Sequence, residues 1–118
     1  MGVVLAVDTA GPVIGVAAVE DGALLAAWSE RVARGAERAL HPAISGVLQG
    51  RRADAIAVSI GPGAFTGLRV GVAAALGLAK AWEIPVLPTS SLAARAAMVS
   101  EPAKVLSLLD ARKGKVYA

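Results

Sequence analysis

Apolar residues run almost unbroken from Gly2 to Val7 and stop at the carboxylate of Asp8, the pattern of a buried strand. Thr9-Ala10-Gly11-Pro12 has the composition of a tight turn, and Val13 to Val19 reads as a second strand. Glu20-Asp21-Gly22 is a hairpin signal leading into a third strand, Ala23 to Glu30. The period then changes. Between Ala36 and Leu48 the apolar positions are Leu40, Ala43, Ile44, Val47 and Leu48, the spacing of one helical face. Pro42 lies inside that stretch, removes a backbone hydrogen bond, and predicts a kink or a late start; Gly50 is placed to cap the end. A β-branched run from Ala55 to Ile60 predicts a fourth strand. It is followed by the loop Gly61-Pro62-Gly63-Ala64-Phe65-Thr66-Gly67-Leu68-Arg69 and an Ala- and Leu-dense helix from Gly67 to Trp82. Pro85 to Pro88 is a short fifth strand, with Thr89 or Ser90 capping a helix that runs through Ala97. Lys104 to Leu109 is strand-like, Ala111 to Gly114 a turn, and Lys115 to Ala118 the start of another strand.

Three antiparallel strands followed by alternating helices and strands, βββαβαβα, predict an α/β fold. The layout is ribonuclease-H-like, and it also builds each half of the actin-like ATPase superfamily. The closing strands predict the opening hairpin of a second such half. The expected division is a domain over 1–102 and the start of a truncated second domain over 103–118. Since the chain stops within a strand, a fragment of a longer protein is expected.

Composition narrows the function classes. Hydrophobic residues make up 56% of the 118 residues, so disorder is not the expectation. Aromatic residues make up only 3%, so the core must be built from Ala, Val, Leu and Ile. Twelve Lys and Arg against nine Asp and Glu give a formal charge of +3, but so few aromatics leave no stacking platform for single-stranded bases. With no cysteine there can be no disulfide, thiolate zinc site or cysteine nucleophile. No signal peptide is apparent, and no uncharged apolar run reaches the ~18 residues a membrane span needs. The expectation is a soluble, cytoplasmic chain without membrane contact.

Two places could carry chemistry. Asp8 ends a strand beside a turn and could hold Mg²⁺ through water, or could accept N–H groups from its own turn. Gly61 and Gly63 could bring backbone amides to a phosphate, with the helix dipole behind them, but the loop has no Gly-Lys-Ser/Thr. The same glycines could instead allow tight helix–strand packing, with Thr66 as the cap. No other cofactor-binding position, no metal site and no catalytic residue is expected; His41 is the only histidine and has no triad or metal-ligand spacing around it. The helix from Gly67 to Trp82 is apolar nearly all round. Gly67, Gly71, Ala75 and Ala79 form a small stripe, beside a bulky one of Leu68, Val72 and Leu76. A helix of that kind is covered on more than one side, by its own sheet and either by the preceding helix or by another molecule.

Five strings in order resemble the TsaB (YeaZ) family, bacterial proteins of tRNA threonylcarbamoyladenosine biosynthesis. They are Leu5-Ala6-Val7-Asp8-Thr9-Ala10; Gly61 to Arg69; Gly71 with Lys80; Thr89-Ser90-Ser91-Leu92; and Asp110 to Ala118. The resemblance covers the whole chain but only the N-terminal part of such a protein. It implies a noncatalytic scaffold related to TsaD, the threonylcarbamoyl transferase. The histidines through which TsaD-like proteins bind metal have no counterpart in Ser90 to Ala94, and the family's early helix histidine is replaced by Gly35-Ala36. The implied partners are a TsaD-like protein in a heterodimer, a TsaE-like ATPase in the same complex, a second copy in isolation, and tRNA only through the complex. The implied interface is Leu40, Ile44, Arg69, Val72, Leu76 and Lys80. The rival readings are an actin-like nucleotide-binding enzyme using Asp8 and the Gly61–Gly63 loop, and a nuclease, which would need clustered acidic residues.

Overall fold

A computed structural model describes residues 2–32, 35–97, 109–112 and 114–117. The chain opens with β1 (Val3–Asp8), β2 (Val13–Glu20) and β3 (Ala23–Arg31). Along β1 burial alternates: Val3, Leu5 and Val7 are buried while Val4, Ala6 and Asp8 are half-covered. Between β2 and β3, Asp21 (φ 51°) and Gly22 (φ 83°) both take the left-handed conformation, whose twist suits a two-residue hairpin.

β1 pairs antiparallel with β2, from Val3↔Glu20 to Asp8↔Gly15, and parallel with β4 (Ala55–Gly61). β4 pairs parallel with β5 (Val86–Ser90), giving the strand order β3-β2-β1-β4-β5. The start of β1 is fastened by Asp54: its Oδ2 accepts the Val3 N–H at 2.7 Å, and its own N–H donates to the Val3 carbonyl at 2.7 Å.

Two helices connect the parallel strands, α1 (Ala36–Leu48) and α2 (Phe65–Trp82). Both pack on the face of the sheet that carries Val3, Leu5 and Val7. One core joins these to Val16, Ala18, Ile56 and Val58, to Leu40, Ile44 and Val47 of α1, and to Ala75 and Ala79 of α2. The predicted apolar stripe of α1 is therefore its core stripe. Pro42 sits inside α1 on its exposed side, and the helix starts at Ala36 despite it. At the far end of α2, the Arg52 guanidinium lies 5.9 Å from the centre of the Trp82 ring.

Some boundaries differ from the sequence reading. α2 starts at Phe65 rather than Gly67, with Ala64 as an extended N-cap that offers no side-chain bond. Thr66 is thus a residue of the first turn, not a cap. β5 runs to Ser90, so Thr89 belongs to the strand, and Ser90 Oγ accepts the Ala93 N–H at 3.3 Å ahead of the short α3 (Ser91–Ala96). A separate antiparallel pair is formed by β6 (Leu109–Arg112) and β7 (Lys115–Tyr117). Arg112 pairs with Lys115, so Ala111 and Arg112 are strand residues and the turn is tighter than composition suggests. Of the expected strand Lys104 to Leu109, residues 104–108 lie outside the described residues and Leu109 begins β6; the expected boundary between 102 and 103 also lies outside them. Among the described residues no helix is long and apolar enough to cross a membrane.

Candidate functional site

The β1–β2 turn and the loop before α2 meet. The Ala64 N–H donates to the Ala10 carbonyl at 2.9 Å, and Thr9, 1% exposed, donates its hydroxyl to the Gly67 carbonyl at 2.5 Å. Three glycines make this approach possible. A Cβ at Gly63 would strike the Ala10 carbonyl, one at Gly67 the Thr9 carbonyl, and one at Gly71 the Thr9 hydroxyl. Gly61 is needed for another reason: its φ of 123° lies in the region that side chains avoid. Asp8 Oδ1 accepts the Ala10 N–H at 2.9 Å, closing its own turn. Of the candidate nucleotide positions, Asp8 is therefore engaged by its own turn, and the Cβ direction of Gly63 is filled by the Ala10 carbonyl. Among the described residues no three His, Cys, Asp or Glu side chains gather as a metal cluster would require. The local chemistry here is that of a joint between sheet and helix.

The other candidate site is the outer surface of α2, whose circumference divides into three sides. Gly71, Ala75 and Ala79 are buried toward the sheet, so the small stripe is covered by the chain's own β1 and β4. Val70, Ala74 and Leu78 are half-buried and border an open groove of about 640 Å³ between the helices, walled on the α1 side by Glu37, Leu40 and His41. The third side is open. Phe65 is 72% exposed and Leu76 56%, and Arg69 and Lys80 are exposed along the same stripe, with half-buried Val72 beside them. The steps from 65 through 69, 72, 76 and 80 are four, three, four and four residues, a seam of the kind one helix offers another.

Of the six expected interface residues, Arg69, Val72, Leu76 and Lys80 share this side. Leu40 (1% exposed) and Ile44 (4%) do not: both are buried in the core of α1, with Leu40 also bordering the groove. Helical periodicity marks the buried stripe whichever neighbour buries it, and here the neighbour is the chain's own sheet. Phe65 escapes the sequence reading because that reading starts the helix two residues late. It is the only Phe in the chain, and the Arg69 guanidinium lies 5.3 Å from the centre of its ring. Composition assigns Thr9 to a turn; its role as the pin of α2 emerges only when residues 58 positions apart come together.

Comparisons with known proteins agree with this geometry. The family model "TsaD: tRNA N6-adenosine threonylcarbamoyltransferase" matches residues 26–118. The Escherichia coli tRNA threonylcarbamoyladenosine biosynthesis protein TsaB is 34% identical over 122 residues, covering 97% of this chain and 52% of that protein. The solved structure of YeaZ from Pseudomonas aeruginosa superposes with a TM-score of 0.87 at 35% identity, covering 98% of this chain and 58% of that one. RuvC from T. thermophilus, at 19% identity and a TM-score of 0.59 over 83% of this chain and 70% of its own, is a likeness of fold alone. The fold is thus ribonuclease-H-like, of the kind shared with actin-like ATPases. The chain spans about half the length of the curated relatives it matches. It belongs to the TsaB (YeaZ) family of tRNA threonylcarbamoyladenosine biosynthesis proteins, within the wider group that the TsaD family model describes.

Proposed function

We propose that this chain is a noncatalytic partner subunit of a TsaD-like threonylcarbamoyl transferase in tRNA threonylcarbamoyladenosine modification, and that it docks through the outer side of α2 and the adjoining groove along α1. The observation that carries the reading is the open seam of Phe65, Val72 and Leu76 on a helix whose small stripe is already covered by the sheet, beside an open groove that α1 borders. Burying large apolar side chains contributes roughly 1.5–3 kcal/mol each, so two or three of them can sustain a specific association. Gly46 and Gly77 support the same reading. Both lie inside helices on the exposed side with nothing within 4 Å of where a Cβ would stand, although mid-helix glycine costs about 0.5–1 kcal/mol relative to alanine. In this reading Gly77, which borders the groove, leaves room there for a second helix.

The rest of the reading follows from family membership. A TsaE-like ATPase joins the same complex, tRNA is met only through it, the complex works in the cytoplasm, and in isolation two copies pair through the same side. Residues 1–102 form the ribonuclease-H-like domain, and 103–118 open a second one. The noncatalytic reading is supported by the engagement of Asp8 in its own turn and by the bonds from Thr9 and Ala10 that tie the loop before α2 to the β1–β2 turn. Micromolar binding of Mg-ATP by the isolated chain, weakened by Asp8→Asn, would favour that alternative. The direct test is Leu76→Glu or Val72→Glu, with pairing to the transferase measured by calorimetry. Loss of pairing in a variant that melts like wild type is expected; undiminished pairing would end the proposal.

A further inference from the structure

Basic residues cluster twice along the chain, at Arg51-Arg52 and at Arg112-Lys113-Gly114-Lys115. The first cluster is used inside the fold. Arg52 lies over the Trp82 ring and donates from Nη2 to the Trp82 carbonyl at 3.5 Å, and Arg51 donates to Gln49 Oε1 at 3.3 Å. The second cluster stands at the turn of the β6–β7 hairpin, where Gly114 takes the left-handed conformation at φ 72° and Lys115 is exposed. Among the described residues Lys115 has no hydrogen bond or ion pair from its side chain.

The register sets the two cations against each other. Arg112 is the ladder partner of Lys115, and the carboxylate residue of the hairpin, Asp110, is the partner of Val116 instead. Directly opposed residues of an antiparallel pair have Cβ atoms about 4.5–5.5 Å apart, and like charges so placed destabilise the pair. An anion with two free oxygens between them turns that repulsion into two attractions. A phosphodiester is such an anion: arginine grips it with a planar fork and lysine as a point charge. Base stacking is not on offer at the turn, because Tyr117 stands at the other end of the ladder, opposite Leu109.

We infer that the turn of the β6–β7 hairpin is a contact point for the sugar–phosphate backbone of tRNA, with Arg112 and Lys115 as its two cations. The contact reads charge and not sequence. Two phosphate contacts are too few to hold tRNA at physiological salt, so this one operates once the transferase is in place. The inference rests on the reading of the chain as a subunit of a tRNA-modifying complex, and adds to it the part of the chain that touches the RNA.

The test is titration of tRNA into the assembled complex of this protein with its transferase, over a series of salt concentrations, using Arg112→Gln, Lys115→Gln, the double variant and Arg51→Gln as the control. Calorimetry of pairing with the transferase and melting curves accompany each variant. Either single change is expected to weaken tRNA binding about threefold at about 0.15 M salt, and the double change about tenfold. The slope of log affinity against log salt should fall by about 0.7–0.9 for each cation removed. Melting should stay at or above the wild-type temperature, since each change removes a repulsion, and pairing with the transferase should not change. Arg51→Gln should bind tRNA like wild type; an equal loss there would reduce the effect to net charge and overturn the inference. If the double variant pairs normally and binds tRNA with wild-type affinity and slope, the inference is refuted while the subunit reading stands. If the wild-type chain does not pair with the transferase, that reading falls, and this inference with it. Loss of transferase pairing in the double variant would assign the cations to an acidic protein surface and overturn the inference. Binding of inorganic phosphate or Mg-ATP that disappears in it, with tRNA binding unchanged, would assign them to a small anion and overturn it equally.

Discussion

Two glycines on the same helix should respond to alanine with opposite signs. At Gly77 an added Cβ meets nothing within 4 Å, so Gly77→Ala collects the intrinsic preference of a helix interior for alanine, about 0.8–1 kcal/mol. At Gly67 the new methyl would strike the Thr9 carbonyl, a backbone atom of a residue that is 1% exposed and follows directly on β1. Overpacking of this kind costs about 1–3 kcal/mol, and displacing α2 also weakens the Thr9–Gly67 hydrogen bond, worth about 1 kcal/mol more, so the propensity gain is outweighed by roughly 1–3 kcal/mol. For a domain of 60–100 residues one kcal/mol moves the melting temperature by about 4–8 °C. Thermal denaturation followed by circular dichroism at matched protein concentration should therefore place Gly77→Ala a few degrees above wild type and Gly67→Ala well below it. A Gly67→Ala variant that melts at or above wild type would refute the account of the glycine loop as a joint. Gly77→Ala carries a second readout, because its methyl stands on the floor of the groove: the more stable protein should pair more weakly with the transferase.

Other outcomes follow from the same joint. Thr9→Val keeps the volume but removes the hydroxyl that Gly67 accepts, and should lower stability by about 1 kcal/mol; an unchanged melting temperature would show that the bond contributes nothing. Ala64→Ser places an oxygen at an extended N-cap that has no side-chain bond, and should raise stability by about 0.5–2 kcal/mol in the same assay.

The sheet and its connections are legible in the sequence because their signals are local. The unbroken apolar run of β1, the Asp21-Gly22 turn and the change of period at α1 each depend on neighbours a few residues apart. Which neighbour covers each stripe is not legible in this way. The spacing of Leu40 and Ile44 predicts that something buries them, and only the topology assigns that to the sheet. For α2 the small stripe is a surface of close approach, as its composition predicts, yet the reason for Gly67 and Gly71 lies at Thr9, far away in the chain. The exposed pair Phe65–Arg69 is hidden by a boundary difference of two residues, since proline and glycine before the helix suggest a turn that lasts longer than it does.

The Thr9 pin has a mechanical consequence. With the oxygen of one element seated where the side chains of the other would have to be, a slide of α2 past the end of β1 would have to break the Thr9–Gly67 bond. Whatever grips the outside of that helix therefore grips the central strand as well, and a push on the seam will be delivered to the floor of the domain instead of being lost in a sliding helix.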